Sequence, residues 1–178
     1  ALGRIGDAGG AVPSLLGAAS TPHDRVLEHS LIYALIEIAE PASTLRGLEA
    51  SSPYTRRAVL IALDQMEGFH LKPEIVTPLL TSTSPVLGQT ATWIVSHHPE
   101  WGGALAGFLR ERLHAKELSD GERAELEDQL ARFARDGAIQ ELLAATSQAA
   151  DTPVETRRTV LRAMARSELK ETPASWAA

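Results

Sequence analysis

Histidine is the residue type in this chain best suited to metal or acid–base chemistry, and six are present. His97 and His98 are adjacent, so on a helix their side chains point about 100° apart and are badly placed to share one ion. His98 also falls on the apolar stripe of its predicted helix, which predicts a hydrogen-bonded, partly buried ring near the helix end. His29 lies four residues before Tyr33, a spacing typical of a packing pair on one helix face. No recognised ligand spacing, such as His-Glu-x-x-His, occurs, so we predict no metal site.

Other common chemistries also lack their sequence patterns. The chain has no cysteine, which excludes disulfides, thiolate metal sites and thiol nucleophiles. The pairs Gly9-Gly10 and Gly102-Gly103 lack both the Gly-x-Gly-x-x-Gly spacing and a preceding strand, which argues against a phosphate-binding loop. No nucleophile-elbow pattern accompanies the available serine, histidine and aspartate residues. We therefore predict no catalytic residue and no cofactor, in a protein that is not an enzyme.

An arginine pair recurs at one position of the sequence pattern, as Arg56-Arg57 and as Arg157-Arg158. As a functional hypothesis, Arg56 and Arg57 belong to a basic row that binds an acidic partner. The structural alternative pairs the arginines with carboxylates of a neighbouring repeat, or leaves them in solvent with their stems packed. Recurrence at a fixed position favours the structural alternative.

Tryptophan is a rare, large residue here, present as Trp93, Trp101 and Trp176. Trp101 precedes two glycines where a loop passes into a helix, which makes it a candidate exposed anchor for a partner. The alternative is that it fills the gap between two adjacent repeats. Trp101, Arg56 and Arg57 are thus the candidate partner-binding residues.

Composition favours packed helices. Hydrophobic residues make up 44% of the chain but aromatics only 4%, so alanine and leucine form the interior, which suits closely packed helices better than a β-sandwich. The net charge of −6, with both signs interspersed, argues against a general phosphate-binding surface and hence against nucleic acid as a partner. No apolar run approaches the length that spans a bilayer.

Helix starts recur along the chain at a nearly constant interval. Four Ser/Thr-Pro pairs mark them, because Ser or Thr caps free amides and proline fits the first helical position. Their prolines are separated by 31, 32 and 68 residues, and the last gap is two units of 34. The missing start falls at Ser119, three residues before Glu122, as in a capping box. The four pairs are Thr21-Pro22, Ser52-Pro53, Ser84-Pro85 and Thr152-Pro153.

Each start is followed by a stripe at i, i+3, i+4 and i+7, which lies on one helix face. A second apolar helix follows, and because one pair of this size leaves its apolar face uncovered, it must stack on the next pair. The stripes are Leu31-Ala34-Leu35-Ile38, Val59-Ala62-Leu63-Met66, Ala91-Ile94-Val95-His98, Leu126-Gln129-Leu130-Phe133 and Val160-Ala163-Met164-Ser167. The second helices contain residues 11–16, 44–48, 75–80, 105–109 and 139–143. An irregular helical bundle is the alternative.

The segment Ala1-Leu2-Gly3-Arg4-Ile5-Gly6-Asp7, followed by Ala11-Val12-Pro13-Ser14-Leu15-Leu16, resembles the core of a bacterial HEAT repeat of the phycobilisome-lyase type. Ser52-Pro53-x-x-Arg56-Arg57-Ala58 is similar to the opening of such a repeat, and Thr152-Pro153-x-x-x-Arg157-Arg158 repeats that opening. The resemblance implies an α-solenoid that binds or holds other proteins. An activity that attaches tetrapyrroles would rest on fold likeness alone.

Residues 27–37 and His98-Pro99-Glu100-Trp101 also look like segments of large exported bacterial proteins. Those proteins join a sugar-dehydrogenase-like β-propeller, a HEAT array and a haem-binding Cys-x-x-Cys-His segment. The resemblance implies that this chain is the connecting array, weakly suggests an exported location and carries no activity over to any residue here.

These patterns predict an all-α fold, an α-solenoid of about five stacked helix pairs that forms a single domain over residues 1–178. The expected repeats are 1–20 (partial), 21–51, 52–83, 84–118, 119–151 and 152–178 (partial). Residues 1–7 look like the middle of a helix and residues 173–178 like the start of another, so we expect a fragment of a longer chain. The predicted function is a non-enzymatic protein-interaction, scaffold or spacer module. Its expected partner is a protein, a peptide or a neighbouring domain of the same polypeptide; the alternative is an array within a multidomain exported redox protein.

Overall fold

A computed structural model describes residues 8–115 and 117–177 of the chain. Within those ranges the secondary structure is entirely helical, without a β-strand, as the 3.6-residue periodicity predicts. The fold class is therefore all-α. Internal contacts divide the chain between Ile94 and Val95 into two compact units. The expectation that residues 1–7 lie inside a helix falls outside the described residues.

The first unit alternates longer helices with shorter ones. Its elements are α1 (Ala8–Ala18), α2 (Arg25–Ile38), α3 (Pro41–Leu45, continued by a 3-10 helix at Arg46–Glu49), α4 (Pro53–Gln65), α5 (Pro73–Val76, continued at Thr77–Thr81) and α6 (Pro85–His97), which extends past the boundary. Helix α2 packs along α4, and α1 packs against α2, α3 and α4. Helices α1 to α4 of this unit therefore form one packed group.

The second unit shows the same kind of packing. Its elements are a 3-10 turn (Pro99–Trp101), α7 (Gly102–Leu113), α8 (Asp120–Phe133), α9 (Gly137–Gln148), α10 (Val154–Ala165) and a 3-10 turn (Ala174–Trp176). Helix α8 packs along α10, α7 packs along α9, and α9 contacts α10. The last turn lies on α9, where the Trp176 Nε1 donates to the Gln140 carbonyl at 3.1 Å.

The predicted stripes form the interior of both units. Val59, Ala62 and Leu63 of α4 are completely buried, and so is each apolar member of the α8 stripe, Leu126, Leu130 and Phe133. Burying side chains of this size is worth about 1.5–3 kcal/mol each. The stripe positions of α4 and α8, which come from spacing alone, are therefore confirmed as core positions, whereas Ala34, Ile38 and Met164 of the other stripes are only partly buried.

Two of the predicted helix starts are confirmed in atomic detail. Ser52 precedes α4, and its hydroxyl accepts from the amides of Tyr54 and Thr55, with Pro53 as the first helical residue. Ser119 precedes α8 in a reciprocal capping box. Its hydroxyl accepts from the Glu122 amide at 3.3 Å, and the Glu122 carboxylate accepts from the Ser119 amide at 2.9 Å.

Two other predicted caps are wrong. Helix α2 begins three residues after Pro22, because the Asp24 carboxylate accepts from two free amides, those of Val26 and Leu27. A carboxylate near the positive end of a helix is a stronger cap than a distant threonine. Before α10, the Thr152 hydroxyl donates to the Thr146 carbonyl instead of capping, and no side chain caps that helix.

The predicted second helices are helical, but two of them are short. Helices α3 and α5 have five and four residues, and both continue as 3-10 turns. For α5 the reason is Pro78, which has no amide to donate to the Glu74 carbonyl and whose ring would clash there. None of the helices in the described ranges is long and apolar enough to cross a membrane.

Candidate functional site

Trp101, a candidate partner anchor, lies inside the second unit. Only 7% of its surface is exposed, and its ring stacks on His98 with centroids 4.1 Å apart and planes 11° from parallel. In this position the tryptophan contributes packing and offers little surface to a partner. The predicted role of His98 is confirmed, since the ring is partly buried and hydrogen-bonded at the end of α6.

His98 also orders the carboxylate that follows it. Its Nδ1 lies 2.6 Å from the Glu100 Oε1. Burial alone would raise the pKa of Glu100, but the hydrogen bond with His98, a backbone hydrogen bond and the attraction of the His98 ring outweigh it and hold that pKa below its ordinary value. The cluster of His98, Glu100 and Trp101 therefore fixes the turn between α6 and α7.

Arg56 and Arg57 lie on α4 with different surroundings. The Arg56 Nε is buried and has no hydrogen-bond partner among the residues that the structure describes. The Arg57 Nε donates to the Glu28 carboxylate at 2.5 Å, and one of its terminal nitrogens donates to the Thr90 hydroxyl at 3.3 Å. Arg57 thus forms the predicted pair with a carboxylate of the preceding helix pair, and it joins α2, α4 and α6 of the first unit.

The structure brings together a set of large residues around that arginine. Tyr33 of α2 is 53% exposed and Trp93 of α6 is 40% exposed, and Ile61 of α4 is half-buried with them. These residues line one groove with a volume of about 420 Å³. We define the aromatic face as His29, Tyr33, Ile36, Ile61 and Trp93, all of which line this groove.

The polar part of the groove contains one ion pair and a further cation, Arg25. Glu28, Arg57 and Thr90 lie in its lining, and the Glu28–Arg57 ion pair is about one-third exposed. Two opposite charges that satisfy one another leave little net field, so this pair adds little charge to the groove. Tyr33 and the His29 ring stack at 6.4 Å between centroids, which confirms them as a packing pair.

Sequence reasoning missed this surface, although a signal for it exists. Tyr33, Ile61 and Trp93 each stand two residues after the first member of their stripe, which is Leu31, Val59 or Ala91. These residues lie on α2, α4 and α6, the first helices of three successive predicted repeats. A position repeated on such helices forms one row when the helices pack side by side. The same position holds Asp128 and Arg162 later in the chain, so the row is apolar only in the first unit.

Among the described residues, no three His, Asp or Glu side chains converge where they could hold a metal ion. No model of a known protein family matches the chain. Comparison with curated proteins also finds no match. The function is therefore inferred from the chemistry of the surface itself.

Proposed function

We propose that this chain is a non-enzymatic interaction module, built as a HEAT-like α-solenoid, which binds a protein or peptide on its aromatic face. The observation that carries the proposal is the exposure of Tyr33 and Trp93 in one groove. Aromatic residues that combine large area with few rotatable bonds are those that dominate binding energy at protein interfaces. In a chain with 4% aromatic residues, two exposed rings in one groove favour a binding role.

The solenoid part of the proposal is supported by the order of helix packing within each unit. In the first unit α2 packs along α4, and in the second α8 packs along α10 while α7 packs along α9. The first helix of one pair thus packs on the first helix of the next pair, and in the second unit the second helices do the same. Stacking of this kind buries one continuous core and presents one row of side chains per helix position.

The partner that fits the aromatic face carries an apolar anchor. An aliphatic or aromatic side chain seated between Tyr33 and Trp93 would contact Ile61 and lie above the Glu28–Arg57 pair, whose charges it would not have to neutralise. Such a ligand is a segment of a protein, whether of another chain or of a neighbouring domain of the same polypeptide. The proposed mechanism is display of these side chains on a semi-rigid helical frame.

A selection experiment tests this proposal. The whole chain is immobilised and challenged with a displayed library of random peptides, and enriched peptides are synthesised and titrated. We expect them to share an apolar anchor and to lose about 10–100-fold in affinity on Trp93→Ala, because truncating a central aromatic at an interface costs about 1.4–3 kcal/mol. Tyr33→Ala should weaken the same peptides.

The matched control is Val26→Ser. Val26 is also an exposed apolar residue of α2, but it does not line the groove, so this variant should bind as tightly as the parent. Peptides that bind equally well to the parent and to Trp93→Ala would contradict the proposed binding surface. Circular dichroism of each variant verifies that the helices remain folded.

A further inference from the structure

Arg25 of α2 lines the same groove as the aromatic face. It is exposed, and it forms no ion pair or side-chain hydrogen bond with any residue that the structure describes. The other two charged residues of the lining, Glu28 and Arg57, are paired with one another. With histidine counted as neutral, the lining therefore has one positive charge left over, in a chain whose net charge is −6.

The place of Arg25 in α2 is unfavourable for the helix itself. It is the first residue of α2, directly after the cap Asp24. The free amides at this end give a helix a partial positive charge, which repels a cation and attracts a carboxylate. Helices α8 and α10 accordingly have carboxylates in the first turn, at Asp120, Glu122 and Glu155. The stability of α2 therefore gives no reason for an arginine at this position.

The distance from Arg25 to the aromatic rings follows from their spacing on α2. Arg25, His29 and Tyr33 stand four residues apart, so they form one row on the helix surface. Eight residues, at a rise of about 1.5 Å each, separate Arg25 from Tyr33 by about 12 Å along the helix axis. A ligand that reaches both residues must therefore span about that distance.

The groove is formed by three helices within the first unit. Its lining comes from α2, α4 and α6. Helix α4, which supplies Ile61 and Gln65 to the lining, packs along α2 on one side. It is joined to α6 by the hydrogen bond from Arg57 to Thr90. The groove is thus a surface between packed helices and differs from the uncovered side of a single helix.

We propose that Arg25 selects the ligand of the aromatic face by binding a carboxylate, so that the preferred peptide has an aspartate or glutamate about four residues from its apolar anchor. This inference rests on the proposed function, because it concerns a ligand of the same groove. In an extended peptide four residues span about 13 Å, and both side chains point to the same side of the chain. The planar guanidinium suits a carboxylate, which it can bind through two parallel hydrogen bonds.

The peptides enriched by selection on the whole chain provide the probe. Each is compared with a second form in which its acidic residue is changed to the matching amide, aspartate to asparagine or glutamate to glutamine. Both forms are titrated with the parent chain and with Arg25→Gln by fluorescence anisotropy at low salt, where surface charge is least screened. The four affinities form a double-mutant cycle, which isolates the contact between Arg25 and the carboxylate.

We expect the parent chain to bind the acidic peptide about two- to fivefold more tightly than its amide form, as an exposed ion pair allows. Arg25→Gln should bind the two forms equally. Its midpoint of urea unfolding should equal or exceed that of the parent, because a cation is removed from the start of a helix. Loss of selectivity without loss of stability would identify Arg25 as a residue that contacts the ligand.

The matched control is Lys72→Gln. Lys72 is an exposed cation of the first unit that does not line the groove, so its replacement removes the same charge elsewhere. This variant should keep the preference of the parent for the acidic peptide. An equal loss of preference in Lys72→Gln and Arg25→Gln would mean that the net charge of the chain selects the ligand, and the role of Arg25 would be wrong.

Two other results would overturn the role of Arg25. One is that the enriched peptides have no acidic residue about four positions from the apolar anchor. The other is equal affinity of the acidic and amide forms for the parent chain. If the peptides still lose affinity on Trp93→Ala, either result leaves the proposed function intact. Peptides that are insensitive to Trp93→Ala would instead contradict the aromatic face as the binding surface, so the two failures are distinguishable.

Discussion

Replacing Gly47 by alanine tests the closest packing in the first unit. Gly47 lies in the 3-10 continuation of α3 and is buried between α1 and α4. A Cβ atom placed there would come 2.6 Å from the Val59 Cγ2 and 3.0 Å from the Leu16 Cδ2. Carbon atoms in contact normally stay about 3.5–4.0 Å apart, so the new methyl group overlaps Val59 by about 1 Å.

The expected cost follows from which neighbour can move. Leu16 is half-buried and flexible, but Val59 is completely buried and its branched side chain has one preferred rotamer in a helix. Overpacking a core by one methyl group typically costs about 1–3 kcal/mol. The higher helix propensity of alanine than of glycine stabilises a helix by at most about 1 kcal/mol. We therefore expect a net loss of about 1–2 kcal/mol, or about 2–8 °C in Tm.

Urea unfolding followed by circular dichroism measures this loss. The matched control is Gly17→Ala in α1, where a Cβ atom would meet nothing within 4 Å, so that variant should gain about 0.5–1 kcal/mol. A double variant, Gly47→Ala with Val59→Ala, should lose less than the sum of the two single changes, because the second removes the clash.

The contrary result is that Gly47→Ala stabilises the chain as much as Gly17→Ala does. Such a result would mean that the 3-10 continuation of α3 does not lie between Leu16 and Val59. Its packing on α4 would then differ from that described.

Two further predictions concern the second unit. Phe133→Ala should lower the free energy of unfolding by about 3–5 kcal/mol, because the ring is completely buried. Phe108 is only half-buried, so Phe108→Ala should cost much less in the same urea titration. Equal costs for the two variants would contradict the packing of α8. Hydrogen bonds from the Ser119 side chain and from the Ser119 amide hold the pKa of Glu122 below the ordinary 4.5. The contribution of Glu122 to stability is therefore complete above pH 4.5 and is lost as the pH falls through the lower pKa of the folded state. The stability difference between the parent and Glu122→Gln, measured by urea unfolding from neutral pH downward, should therefore shrink below about pH 4.5; a difference independent of pH would contradict it.

Local signals predicted the fold class and several details correctly. The capping box at Ser119 needs only four residues of sequence, and the stripes need only the helical period. Competition between neighbouring polar residues is harder to predict. Thr21 precedes a proline as a cap should, but Asp24 is close enough to take over and delays the start of α2.

Features that depend on distant residues could not be predicted in the same way. The aromatic face joins Tyr33 to Trp93 across 60 positions of sequence, and only the packing of α2, α4 and α6 shows that they share a groove. Partner binding by Arg56 and Arg57 stays a prediction, but Arg57 already has a carboxylate and a hydroxyl within the first unit.

That position of Arg57 affects how a partner would bind. Since one guanidinium bridges Glu28 and Thr90, the three helices beneath the aromatic face are held at fixed spacing before any ligand arrives. Preorganisation of this kind lowers the entropy lost on complex formation, which is about 0.5–1.5 kcal/mol for each side chain that a complex immobilises. Weakening the bridge would therefore reduce affinity through added entropy of the free protein.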